Sequence, residues 1–163
     1  MTYILSAQRS RSPQEILENF ERYRAYLAET QARFPPAAHA LATSDWYYKP
    51  NDHRCPHDAW LEWVKIEEPA SGDRHEIRAV DIRIRLLGAY HDGYIEFRYP
   101  GVRRYTLELE RGDGGHRDWR YDKFRVSEAG SVVHEIEWVG MHPSGRWLIE
   151  ASDVHYAWFP MAA

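Results

Sequence analysis

The sequence predicts an α+β domain in which an N-terminal amphipathic helix packs on a strongly curled antiparallel meander of about seven or eight strands, a half-barrel or barrel. Three observations carry this reading. From Ile77 to Leu87, Val80, Ile82, Ile84 and Leu86 alternate with Asp81, Arg83 and Arg85. A period of two sends successive side chains to opposite faces of a sheet, one dry and one wet. The alternation recurs downstream, whereas strands of a parallel sheet, covered on both faces, read as unbroken apolar runs. Finally, the segments between strands are mostly about two to six residues long, too short for crossover helices.

The helix is predicted over 13–34. Ser12 caps it, Pro13 suits its first position, and Glu15 closes a capping box onto the Ser12 amide. Ile16, Phe20, Tyr23 and Leu27 then form one apolar stripe, with Leu17 beside it and Glu18, Arg22, Arg24 and Glu29 on the other face. Pro35-Pro36 ends the helix near Phe34, because a residue before proline leaves the helical region. Ala37 to Ala42 adds one further turn. A connector over 35–58 follows, turn-rich from Asp45 onward with Pro50, Asn51, Asp52 and Pro56.

The sheet is predicted over 59–159. Ala59 to Glu68 alternates imperfectly around Trp60, Trp63, Val64 and Ile66, which signals a bulge or a strand covered on both sides. Ile77 to Leu87 is the clean strand, and Asp92-Gly93 turns the chain into Ile95, Phe97 and Tyr99. Pro100-Gly101 leads to Tyr105, Leu107 and Leu109, and Gly112 to Gly115 is a turn. Trp119 and Tyr121 fall out of phase with Phe124 and Val126, a second bulge signal. Ala129-Gly130 reverses the chain into Val132, His134, Ile136 and Trp138, and Pro143 to Gly145 turns it toward Trp147, Ile149 and an aromatic tail.

At 163 residues the chain suits one domain, with no repeat and no linker to divide it. The single cysteine, Cys55, excludes an intramolecular disulfide. The run Tyr3, Ile4, Leu5 falls short of the roughly 7 to 15 apolar residues of a secretion signal, and no stretch approaches the roughly 20 of a membrane span. These readings place the protein in a bacterial-type cytoplasm, away from membranes. A net charge of -4 with interspersed signs lacks the dense basic face that duplex binding needs, so nucleic acid is not an expected partner.

Chemistry-bearing clusters are few. His53, Cys55 and His57 alternate between Asp52 and Asp58, as ligands along an extended segment would. The spacing matches no zinc signature, Pro56 interrupts the run, and a polar loop with a packed cysteine accounts for it, so no metal or other cofactor is expected. His134 is the histidine that the alternation turns inward, between Val132 and Ile136. An inward imidazole must be hydrogen-bonded, either to a core carbonyl or tyrosine hydroxyl, or as a general base to Asp153, Tyr121 or Glu150. Asp153 and His155 share a face at the end of the chain. No nucleophile elbow and no phosphate-cradling glycine loop precedes a helix, so no catalytic residue is assigned.

With 7 Trp and 11 Tyr against 5 Phe, the chain favours rings that carry a polar tip, which suit pocket walls and interfaces. Two readings follow. In the first, the protein is a non-catalytic binder of another protein, an inhibitor, adaptor or immunity-type factor, with Tyr90, His91 and Asp92 on one hairpin tip and Arg103 and Arg104 after another turn as contact residues. In the second, Trp119, Tyr121, His134 and Trp138 line a small-molecule cavity, with catalysis by His134 as its extension. Self-association is compatible with either.

Overall fold

The computed structural model describes residues 12–110 and 114–162. The run Tyr3 to Leu5 and the first half of the turn at Gly112 to Gly115 lie outside them. Helix α1 (Pro13–Thr30) passes through a single 3-10 turn (Gln31–Arg33) into α2 (Pro36–Ala42). The capping box is present, with the Ser12 side chain accepting from the Glu15 amide and Glu15 accepting from the Ser12 amide. Helix α2, the further turn, begins at Pro36, and the Asp153 carboxylate accepts from the Ala37 and Ala38 amides at 3.2 and 2.8 Å. These are amides with no partner inside the helix.

Ten strands follow: β1 (Trp60–Glu67), β2 (Ala70–Ser71), β3 (Ile77–Arg78), β4 (Asp81–Leu87), β5 (Gly93–Tyr99), β6 (Arg104–Leu107), β7 (Asp118–Val126), β8 (Val132–Val139), β9 (Pro143–Ala151) and β10 (His155–Pro160). Eight form one antiparallel sheet in the order β10-β5-β4-β1-β7-β8-β9-β6, and β2 and β3 form a separate ribbon. The α+β class and the antiparallel sheet are as predicted; the strongly curled half-barrel or barrel is not. The sheet is open, with β10 and β6 at its two ends, and the simple meander holds only for β4-β5 and β7-β8-β9. After β5 the chain crosses to the far end of the sheet, held on the way by Val102 N to Val80 O and Arg103 N to Glu150 O.

The sheet does not close because it nearly divides. Strands β1 and β7 are paired only at Trp60 and Asp118, so β10-β5-β4-β1 and β7-β8-β9-β6 are two four-stranded halves. Their apolar faces meet. Phe97 on β5 stacks on Trp119 of β7 with centroids 5.2 Å apart, although three strand spacings in a flat sheet would separate them by roughly 14 Å. Ile82, Ile84 and Leu86 are fully buried as their alternation requires, together with Ile95, Phe97, Phe124, Ile136, Trp138 and Ile149. The clean strand is shorter than predicted. Ile77 and Arg78 belong to the exposed ribbon with Ala70 and Ser71, because Ala79 N turns back onto Pro69 O.

Where β7 leaves β1, helix α1 takes over its edge. Tyr23 Oη donates to Phe124 O and accepts from Phe124 N, both at 2.8 Å. Tyr26 Oη accepts from Val126 N at 2.9 Å. Two phenols thus supply the bonds that a neighbouring strand would have made. The apolar stripe is buried most deeply there, at Tyr23 and Leu27, while Ile16 and Phe20 are half-buried and Leu17 is exposed. Tyr23→Phe is expected to lower the free energy of unfolding by about 1 to 3 kcal/mol, since it leaves the buried amide and carbonyl of Phe124 unpaired; urea denaturation followed by tryptophan fluorescence measures the loss.

Candidate functional site

The chemistry-bearing centre of the core is the Asp122 carboxylate. A bulge falls between Trp119 and Tyr121, and it resets the alternation so that Trp119, Asp122 and Phe124 all face inward. Oδ1 accepts from Trp119 Nε1 at 3.0 Å, and Oδ2 accepts from Tyr47 Oη at 2.7 Å and from His134 Nε2 at 2.7 Å. On the other side of the imidazole, Tyr99 Oη lies 2.7 Å from Nδ1. The network assigns the tautomer: with the proton on Nε2 toward the carboxylate, Nδ1 accepts from the Tyr99 hydroxyl. A continuous relay Tyr99–His134–Asp122–Tyr47 therefore joins β5, β8, β7 and the connector.

His134 has 0% exposure and is enclosed by rings, with Phe124 stacked at 4.0 Å and Phe97 and Trp119 at 5.7 and 5.6 Å. Its partners are Asp122 and Tyr99, not Asp153, Tyr121 or Glu150. Asp153 instead caps α2. Trp119 and Trp138 are also fully buried, their rings 5.4 Å apart, and Trp138 packs on Trp147 at 5.0 Å. Of the four residues expected to line a cavity, Trp119, His134 and Trp138 are thus fully buried in the core.

Tyr121 does face a cavity, outside that core. A pocket of about 230 Å³ lies between the connector and the β7 bulge, lined by Phe20, Tyr47, Tyr48, Cys55, His57 and the consecutive bulge residues Arg120, Tyr121 and Asp122, with Pro50 beside them. The relay reaches it through Asp122 and Tyr47. Arg120 is held between Asp118 Oδ2 at 2.8 Å and Asp58 Oδ1 at 3.2 Å. Cys55 Sγ donates to Tyr47 O at 2.9 Å, and burial pushes its thiol up to about 12, so it is no nucleophile near neutral pH.

The suspected ligand cluster is dispersed. His53 Nδ1 pairs with Asp92 at 2.5 Å, Cys55 turns to Tyr47, and His57 Nδ1 lies 3.3 Å from Asp58. Among the described residues no group of three or more such side chains is arranged to hold a metal ion.

The suspected contact residues divide between two places. Tyr90, His91 and Asp92 sit on the β4-β5 tip beside the connector: His53 stacks on Tyr90 with centroids 4.0 Å apart and planes at 8°, Tyr90 Oη donates to Pro50 O, and His91 packs on Trp60 at 4.7 Å. Arg103 and Arg104 are exposed at the start of β6, beyond the opposite end of β5, where Arg104 pairs with Glu150 at 3.3 Å. Comparison with known proteins finds no matching family model, no matching curated protein and no matching solved structure.

Asp122→Ala strands three buried donors and is expected to cost at least about 3 kcal/mol, against about 1 to 3 kcal/mol for Tyr99→Phe, which strands only the imidazole Nδ1. Paired urea titrations check the order. Burial also holds the phenols of Tyr23, Tyr47, Tyr48 and Tyr99 well above their ordinary value, with the charge of Asp122 adding to it. Above about pH 10 the unfolded chain therefore releases protons that the folded chain retains, and stability present in full below that pH falls as it rises. Unfolding midpoints across the alkaline range should drop steeply, with these tyrosines ionising only on unfolding.

Proposed function

We propose that the chain is a non-catalytic binding protein that engages another protein through the β4-β5 tip and the surface around it. The observation that carries this reading is that the large rings on this surface are both exposed and fixed. Tyr90 and Trp60 are each 48% exposed, yet each is tied at its polar end. Tyr90 is held by the His53 ring and the Pro50 carbonyl, and Trp60 donates from Nε1 to Asp118 at 2.9 Å. Rings already locked in one rotamer lose little entropy on docking and offer large apolar area with a polar rim, the character of interface hot spots. The tip backbone is fixed as well: His91 adopts a φ of 57°, and Asp92 O accepts from Met161 N after β10. Met141, almost fully exposed, lines a groove with Trp60 and extends the apolar surface.

The absence of a role for His134 in direct chemistry supports binding over catalysis, since its imidazole is sealed among rings. A soluble inhibitor, adaptor or immunity-type factor acting in the cytoplasm fits this reading. The test is co-purification from the native host with the intact chain, the double variant Tyr90→Ala/Trp60→Ala, and Arg103→Ala/Arg104→Ala. A protein partner is expected to be retained by the first and third and lost by the second, whose melting temperature should stay near that of the parent because both rings lie outside the core. Retention by the tip variant with loss by the arginine variant would move the interface to β6.

A further inference from the structure

From the pocket over the β7 bulge we infer a binding site for an organic cation, a methylated ammonium group held in a box of rings. Such a guest needs no protein partner, although Pro50 of the lining also accepts from Tyr90 Oη of the β4-β5 tip. Its walls are ring planes set at steep angles: Phe20 on Tyr48 at 67° and 5.8 Å, Tyr48 on Tyr47 at 82° and 4.8 Å, and His57 on Tyr121 at 71° and 6.4 Å. A cavity of about 150 Å³ accepts benzene, so the 230 Å³ here has room for a trimethylammonium head and a short polar arm.

Two features choose the ligand chemistry. The hydroxyl of the wall tyrosine Tyr48 is already committed to the interior, donating to Tyr23 Oη at 3.3 Å, as is that of the fully buried Tyr47 behind it, which donates to Asp122 Oδ2. What these walls offer is therefore ring surface rather than donors, and a quaternary ammonium asks for none. The charges around the pocket then separate cation from neutral guest. Asp122 belongs to the lining with its carboxylate turned to the core, and the lining guanidinium, Arg120, is bracketed by Asp58 and Asp118, so two carboxylates offset one guanidinium beside the pocket. Ring faces carry negative quadrupole potential, and a desolvated cation gains from both sources.

The probe is choline, titrated into the intact protein and followed by calorimetry and by the fluorescence of the tryptophans, of which Trp119 is bonded to Asp122 at the pocket floor. Dimethylbutanol, in which carbon replaces the ammonium nitrogen, and benzoate are the companions. Choline is expected to bind saturably and about ten- to thirty-fold more tightly than its carbon isostere, with Tyr121→Ala abolishing binding and Tyr121→Phe, which keeps the ring, preserving it. Thermal melting confirms that both variants are folded. Equal affinity for the isostere would make the pocket merely apolar, preference for benzoate would make Arg120 an anion reader, and no saturable binding would leave no site; each result overturns the inference.

Discussion

A single carboxylate buried among aromatic rings sets the terms for this core. An ionised group withdrawn from water is costly by several kcal/mol unless donors replace its hydration, and Asp122 finds three, each from a different segment: Tyr47 in the connector, Trp119 on its own strand and His134 on β8. None of these donors can move far without stranding the charge. The carboxylate thus fixes where the connector crosses the sheet, how the β7 bulge is turned, and which imidazole tautomer faces Tyr99. Through Tyr99 the constraint passes to β5, in the other half of the sheet.

The second constraint is geometric. The halves share the ladder position at Trp60 and Asp118 and two further backbone bonds, Trp119 N to Ala59 O and Asp58 N to Trp119 O, and then part. In most sheets such a parting would expose the backbone edge of β7, but α1 lies against it with the hydroxyls of Tyr23 and Tyr26 on the amides of Phe124 and Val126. The helix is not simply an apolar lid. It is bonded to the sheet through side chains whose rings also fill the gap, with Tyr23 fully buried between helix and strand. Tyrosine suits this position better than phenylalanine because the same residue closes a void and pairs a backbone group.

Much of this was legible in the order of residues, and the failures have identifiable causes. The capping box, the helical stripe, the buried set Ile82, Ile84 and Leu86, and both bulges follow from local patterning, which local physics enforces. The open sheet was not legible, because whether β1 and β7 pair along their length depends on contacts between residues some sixty apart in sequence, for which the alternation of either strand contains no information. His134 was readable as an inward imidazole tied to a hydroxyl, but its carboxylate partner was missed. A signal was present: counting back by twos from Phe124 and Val126 puts Asp122 on the dry face, an ionised residue where none belongs without partners. The bulge pocket was only partly visible, through Tyr121, since Tyr47, Tyr48 and His57 arrive from a connector whose path no periodicity describes.

The side-chain-bonded edge of β7 also bears on how the polypeptide matures. An unpaired strand edge invites mispairing with other chains until it is covered, and segments emerging from the ribosome fold in order from the amino end. Here the covering element, α1, is synthesised about a hundred residues before the strand it protects. By the time Phe124 and Val126 appear, the segment bearing the phenols that receive them has already been made, so the vulnerable ribbon has no later element to wait for.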